Sequence, residues 1–219
     1  MKNPIRTALI TCAATFILGY LNGHTQSTIN SFVSPQTGNL IHLGLHVANQ
    51  DAPRIITSLI MFFSFVLGCA AAHAILQRKY RPRIEFLLSW SFFVLPIAAY
   101  VFFGALLTAN TVIFTLSLAS GAALGFFRKI GDIELNNNIV TGNMRFLAIN
   151  LYDGTAGRNP ARLRPFWIYA LAIFLFFLGS FVCGVALNIH PNLANWLLIA
   201  LLALPYAVGA SAPLSRRFE

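Results

Sequence analysis

The chain has 219 residues, of which 57% are hydrophobic and only 10% are charged. Soluble domains usually carry about a quarter charged residues, so this composition excludes an ordinary soluble globular protein and indicates that lipid solvates most of the exterior. The formal charge of +9 raises the question of nucleic-acid binding, which depends on where the basic residues lie.

Six apolar stretches follow one another, and each comes close to the roughly 20 residues that a helix needs to cross a hydrocarbon core. They are residues 7–23, 55–77, 84–107, 111–127, 166–188 and 193–213. The first follows Lys2 and Arg6, as in a secretory signal, but no small-x-small cleavage site comes after it. We therefore interpret it as a span and predict an all-α, polytopic membrane protein with a single membrane domain over residues 1–219.

The fifteen lysine and arginine residues lie at the ends of these spans or between them. If both termini are cytoplasmic, all of them except Arg54 fall on the inner side, which is a strong positive-inside signal. The basic residues are thus expected to orient the protein and to contact membrane lipid, and nucleic acid is not an expected partner. Cys12, Cys69 and Cys183 lie within spans and have neither metal nor redox spacing.

The sequence contains an internal repeat. TGNL at residues 37–40 recurs as TGNM at residues 141–144. Three more pairs occur in the same order: GYL 19–21 with GAA 121–123, FVLG 65–68 with FFLG 176–179, and LP 95–96 with LP 204–205. Three spans per repeat is an odd number, so the second copy inserts upside down. We predict two inverted three-helix repeats, at about residues 5–107 and 111–213, an arrangement of secondary transporters whose site lies at the repeat interface.

These motifs resemble the YoaK-like family of bacterial six-span membrane proteins, whose function is unknown. The resemblance is carried by GYLNG at residues 19–23, QTGN at residues 36–39 and the second TGN, and it extends over the chain in span number and motif order. It implies a bacterial cytoplasmic (inner) membrane location but no chemistry. The chain departs from the family pattern at Asn22, where Asp is frequent, and at Leu124, where Asn is typical.

Two segments, residues 22–49 and 128–154, are too polar to be ordinary spans, so we predict short helices there that are either re-entrant or interfacial. Thr37 and Thr141 are expected to cap these helices, and Gly38 and Gly142 to allow close approach. Two such helix starts related by a pseudo-twofold axis would offer free N–H groups to one small solute. The plainer alternative is that the motifs only cap and pack.

Polar residues after the first motif, at positions 39, 42, 46 and 49, share one helical face, which would line a cavity or face water. His42 and His46 have the spacing of two zinc ligands, but no third ligand is evident, so neither a metal nor another cofactor is predicted. The mixed charges of residues 128–145 are expected to be solvated at the cytoplasmic interface. If that segment dips into the membrane, they become candidate substrate contacts.

We predict a small-solute transporter or channel. The predicted substrate-binding residues are Asn22, His24, Thr37, Gly38, Asn39, His42, Thr141, Gly142, Asn143 and Arg145. Arg145 and the helix starts favour a small anion or zwitterion. The alternatives are a non-transporting scaffold or sensor and an intramembrane enzyme that uses His24 and His42. No nucleophile elbow, phosphate loop or catalytic carboxylate pair is evident, so enzymatic activity is not expected, and self-association is left open.

Overall fold

The computed structural model describes residues 4–78, 80–136 and 140–210, and these form α-helices joined by short turns. The α-helices are α1 Pro4–Ile29, α2 Gln36–Ala48, α3 Ala52–Gln77, α4 Pro82–Phe103, α5 Ala109–Phe126, α6 Val140–Thr155, α7 Leu163–Ile189 and α8 Pro191–Ala210. Short 3-10 turns cover Gly104–Leu106 and Pro160–Arg162, and β1 Lys129–Ile130 pairs with β2 Ile133–Glu134 in an antiparallel hairpin. The all-α prediction is confirmed.

Four helical segments in the described part of the chain are long and apolar enough to cross a membrane: Ala52–Gln77, Pro82–Leu106, Ala109–Phe126 and Pro160–Ile189. Their outer faces carry large apolar side chains, such as Phe63, Leu95 and Phe177, that are more than half exposed. A soluble monomer rarely leaves so many uncovered. The structure is therefore that of a multi-pass helical membrane protein.

α1 is less apolar because it lies in the centre of the bundle. Ile17, Leu18 and Leu21 are almost fully buried, and so are the polar residues Asn22 and Thr25. Since this part of α1 is covered by other helices, it can carry polar groups wherever they find hydrogen-bond partners.

Two helix pairs, α1 with α7 and α3 with α5, cross at glycine residues. A Cβ atom on Gly19 would overlap the carbonyl oxygen of Phe176, and one on Gly179 would overlap that of Phe16. At the other crossing, a Cβ on Gly68 would overlap the carbonyl of Leu118, and one on Gly121 would overlap that of Phe65. Small residues let helix backbones approach closely within a membrane.

A side chain also bonds across each crossing. The Ser180 hydroxyl donates to the Gly19 carbonyl oxygen at 2.7 Å, and the Cys69 thiol donates to the Gly121 carbonyl oxygen at 3.2 Å. One turn further along α1, Gly23 lies against Ser180. Residues further along α1 thus contact residues further along α7, so the two helices run parallel.

The core lies among α1, α4, α5 and α8. The Trp90 indole of α4 donates to the Leu202 carbonyl oxygen of α8 at 3.0 Å, and its ring packs edge-on against Phe93 and Phe127. On the other side of the core, the Tyr20 hydroxyl of α1 donates to the Ala194 carbonyl oxygen of α8 at 2.8 Å. The buried Trp90 indole and Tyr20 hydroxyl thus each have a backbone partner, as burial favours.

The bundle has two ends. At the α6 end, the Thr11 hydroxyl of α1 donates to the Lys129 carbonyl oxygen just after α5, and the Tyr169 hydroxyl of α7 donates to the Glu134 carbonyl oxygen of β2. At the α2 end, the last turns of α1 meet the last turn of α4 and the first turns of α8. The start of α1 thus lies beside the end of α5, so these two helices are antiparallel.

Candidate functional site

A cleft of about 330 Å³ opens at the α2 end of the bundle. Its walls come from α1, α4, the turn that follows α4, the end of α7 and the start of α8. It is lined by His24, Thr28, Tyr100, Val101, Gly104, Ala105, Leu187, Pro191 and Asn195. Four of these residues have polar side chains, and the three helices that supply them are far apart in sequence.

His24 is the centre of this polar group and is 3% exposed. Its Nε2 lies 2.9 Å from the Asn195 side-chain oxygen, and its Nδ1 lies 3.2 Å from the Tyr100 hydroxyl. An amide oxygen only accepts hydrogen bonds, so Nε2 carries the proton and donates. Nδ1 then accepts from Tyr100, whose ring packs edge-on against the imidazole at 5.7 Å between centroids.

Thr28 completes the network. It lies one turn after His24 on the same face of α1, because residues four apart are neighbours on a helix. Its hydroxyl donates to the His24 carbonyl oxygen at 2.8 Å and lies 3.4 Å from the Tyr100 hydroxyl. The side chains of Asn195, His24 and Tyr100 are thus linked by hydrogen bonds, and Thr28 joins this group through the His24 carbonyl oxygen.

Charge is distributed unequally between the two ends of the bundle. Among the described residues that line the cleft, none is Lys, Arg, Asp or Glu. The ion pair at the α2 end is Asp51 with Arg54, at 3.4 Å. At the α6 end, Lys129 pairs with Glu134 at 3.2 Å and Arg164 pairs with Asp132 at 3.1 Å. All three pairs are at least partly exposed and contribute little stability.

Asn22 lies near the cleft on α1 but is fully engaged. Its amide donates to the Leu18 carbonyl oxygen at 2.7 Å and to the Ser34 hydroxyl at 2.8 Å, and its side-chain oxygen accepts from the Ser34 backbone N–H at 3.3 Å. These bonds hold the segment before α2 against α1. The structure therefore gives Asn22 a bracing contact.

The two TGN asparagines make matching contacts. The Asn39 amide donates to the Phe32 carbonyl oxygen at 2.9 Å, and the Asn143 amide donates to the Asn136 carbonyl oxygen at 3.0 Å. Asn143 also accepts from the Asn136 backbone N–H at 3.0 Å. Both asparagines are buried and close a loop of the chain onto the helix that follows it.

The other predicted site residues lie outside the cleft. Thr37, His42, Thr141 and Arg145 are exposed, and Gly38 and Gly142 are partly exposed. The His42 ring stacks on that of His46, with 6.1 Å between centroids, while Arg145 lies over the Phe146 ring. Of the ten predicted residues, His24 alone lines the cleft.

The prediction that Thr37 caps α2 is wrong. The helix begins at Gln36, and the residue in the capping position is Pro35, which makes no side-chain capping bond. Thr37 is the second residue of the helix, and its hydroxyl therefore lies past the position from which a side chain caps. Thr141 is likewise the second residue of α6, and residues 137–139 before it lie outside the described residues.

Sequence reasoning missed Tyr100 and Asn195. Asn195 stands in an otherwise apolar predicted span, and a polar residue there is a signal of function. Tyr100 gave no such signal, since tyrosine is common near the ends of membrane helices.

The sequence profile of a family described as "Protein of unknown function (DUF1275)" matches residues 10–208. The chain belongs to this family. The match confirms the resemblance to the YoaK-like family, which is also of unknown function. No curated protein and no solved structure matches the chain. Membership of the DUF1275 family supplies neither a solute nor a reaction, so the function of this member has to be argued from its cleft.

Proposed function

We propose that this protein is a transporter or channel for a small polar solute and that the His24 cleft is where the solute binds at one membrane face. The cleft is the observation that carries the proposal. Polar side chains within a membrane domain are costly and are usually retained for function. Here four of them, from α1, α4 and α8, meet in one open cavity rather than being scattered singly among the helices.

The proposed architecture has six spans, formed by α1, α3, α4, α5, α7 and α8. Helix directions support this count. α1 is antiparallel to α5, because Thr11 near its start bonds to Lys129 after the end of α5. It is parallel to α4, because His24 and Tyr100 both lie near the ends of their helices. A crossing by α2 would reverse both relations, and a crossing by α6 alone would reverse the parallel relation of α1 to α7.

α2 and α6 are also too short to cross. Their 13 and 16 residues extend about 20 and 24 Å, against a hydrocarbon core of about 30 Å. α6 folds back along α7, since the Phe146 ring stacks on Tyr169 and Gly154 abuts Leu163. The start of α6 therefore points inward from the α6 end, as a re-entrant helix does. The bond between Ser34 and Asn22 similarly brings the start of α2 inward along α1.

The same contacts recur in the two halves, which supports an inverted repeat in which α1–α4 correspond to α5–α8. The crossing of Gly19 with Phe176 corresponds to that of Gly121 with Phe65. The Asn39 bond corresponds in the same way to the Asn143 bond. Each glycine crossing joins a helix of one half to a helix of the other. In alternating access, we propose that each crossed pair moves as a unit.

The proposed orientation places the α6 end in the cytoplasm of a bacterium, with the protein in its inner membrane and both termini inside. The described arginines at positions 78, 81, 83, 128, 145, 158, 162 and 164 belong to this end. The positive-inside rule favours this orientation. The cleft would then open toward the outside.

Stopped-flow light scattering on proteoliposomes tests the proposal. Liposomes with the purified protein are mixed with small polar solutes, both neutral and ionic, and the rate of reswelling is compared with that of protein-free liposomes. We expect faster reswelling for at least one solute and about a tenfold loss in His24→Leu, since two hydrogen bonds in the cleft are removed. The control His42→Leu changes an exposed histidine and should retain the wild-type rate.

The proposal fails if folded, monodisperse protein accelerates reswelling for none of the solutes. That outcome would favour a scaffold or sensor. One observation supports a scaffold role for the TGN segments. Asn22, Asn39 and Asn143 all bond to neighbouring backbone and so hold the connecting loops in place. We expect no enzymatic activity, since the ring contacts of His24 and of His42 involve different residues.

A further inference from the structure

We infer that the solute of the His24 cleft is a small uncharged molecule that both donates and accepts hydrogen bonds. The inference rests on the proposed function and narrows it, because a transporter or channel could equally serve an ion or a zwitterion.

The charge of the cleft is the first property that restricts the solute. The side chains that line the cleft are neutral, and the pair at the same end of the bundle, Asp51 with Arg54, is already internally balanced. Moving an ion from water into a site without a counter-charge costs far more than moving a neutral polar molecule that finds hydrogen bonds. Arg145, which favoured an anion in the sequence, is exposed on α6. The cleft therefore selects against ions.

The second step is the hydrogen-bonding capacity that remains. The Asn195 side-chain oxygen accepts from His24, whereas no described hydrogen bond uses the amide nitrogen, which keeps two N–H groups. The Tyr100 and Thr28 hydroxyls donate their hydrogens to His24 and keep oxygen lone pairs that can accept. The cleft thus presents donors from α8 and acceptors from α1 and α4. A ligand that satisfies both sides must itself donate and accept.

The third step is size and the apolar wall. The cavity of about 330 Å³ has room for about ten water molecules at roughly 30 Å³ each. Val101, Leu187 and Pro191 form its apolar side. A molecule of a few carbon atoms with hydroxyl or amide groups would place its carbon atoms on this side and its polar groups toward Asn195 and Tyr100. Small polyols and small amides have this chemistry.

The experiment compares solute classes in one osmotic assay, because reswelling reports neutral solutes directly and reports charged solutes when an ionophore for the counter-ion keeps their entry electroneutral. Glycerol and urea are the neutral probes, and sodium acetate, methylammonium chloride and glycine are the ionic and zwitterionic probes. Asn195→Leu removes the amide donors and should slow reswelling in the neutral probes about fivefold, as loss of one net hydrogen bond implies. Asn192→Leu is the matched control, one turn away on α8 and outside the cleft lining.

Three outcomes separate this inference from the proposed function. Faster reswelling in glycerol or urea that falls in Asn195→Leu and persists in Asn192→Leu supports both. Faster reswelling in acetate, methylammonium or glycine alone overturns the uncharged class while leaving transport in place. No acceleration by any probe, with both variants and wild type eluting as folded protein, overturns the inference together with the proposed function.

Discussion

In α2 and in α6, a buried asparagine of the TGN motif donates to a backbone oxygen seven residues earlier. The surroundings of the two segments differ. The segment before α2 is held to α1 by Asn22 and Ser34, and α2 itself exposes apolar residues such as Ile41 and Leu45. The segment before α6 forms a β-hairpin with exposed ion pairs that packs against Tyr169.

The comparison separates the structural contacts that recur in the two segments from the polar cleft around His24. The two glycine crossings make equivalent contacts between the halves, and the two asparagine bonds are equivalent within them, so we regard both as structural framework. The central residue of the cleft, His24, comes from the first half of the chain and lies five residues after Gly19. The equivalent position in the second half, five residues after Gly121, is Phe126. Phe126 packs against other aromatic rings, Phe92 and Phe127. Among the described residues, the position in the second half that corresponds to His24 is therefore apolar and packed against rings.

The largest effects are expected where the two halves agree, at the glycine crossings. Gly19→Ala and Gly121→Ala each place a Cβ atom against a backbone carbonyl that cannot move without shifting its helix. Each should lower the free energy of unfolding by about 3 kcal/mol, as for severe overpacking. Thermal unfolding in detergent, followed by tryptophan fluorescence, measures both variants.

Gly184→Ala is the matched control, because it lies in α7 and a Cβ there meets nothing within 4 Å. It should be neutral or slightly stabilising, since alanine favours a helix over glycine. A small effect at Gly19 with a large one at Gly121, or the reverse, would contradict the view that both crossings are equivalent parts of the framework.

The next effect distinguishes the two TGN asparagines. Asn143→Ala breaks two bonds to the Asn136 backbone and leaves its partly buried N–H and C=O without these partners, which should cost about 2 kcal/mol. Asn39→Ala breaks one backbone bond, to the Phe32 carbonyl, and a long 3.5 Å bond to the Gln36 side-chain oxygen, and the cost should be about 1–1.5 kcal/mol. Denaturant or thermal unfolding of both variants in one detergent gives the comparison. Equal losses would mean that the second backbone bond of Asn143, accepted from the Asn136 N–H, contributes nothing to stability.

Most helix positions could be predicted from the sequence, because apolar runs of the right length have few alternatives in a membrane. The predicted span at residues 166–188 lies within α7, and that at residues 111–127 ends one residue beyond α5. The first span was predicted to end at residue 23, whereas α1 continues to Ile29. Ser27 and Thr28 donate to carbonyl oxygens four residues earlier, so polar residues stay within the helix there. Composition does not show such local bonding.

The cleft could be predicted only in part. His24 stood out as a polar residue beside an apolar span, but its partners Tyr100 and Asn195 lie 76 and 171 residues away in the chain. Only the tertiary structure brings them together. The TGN motifs are conspicuous in the sequence because they repeat, but Asn39 and Asn143 bond to neighbouring backbone outside the cleft. Repetition alone therefore does not locate the cleft.

The smallest effect compares the glycines of the two TGN motifs. A Cβ on Gly38 meets nothing within 4 Å, whereas one on Gly142 would lie 2.7 Å from the side-chain nitrogen of Asn136. Gly38→Ala should therefore stabilise the protein by up to about 1 kcal/mol through helix propensity. Gly142→Ala should show no such gain, because the Asn136 side chain has to move. Parallel thermal unfolding of the two variants measures the difference. Equal gains would show that α6 packs against the segment before it no more tightly than α2 does.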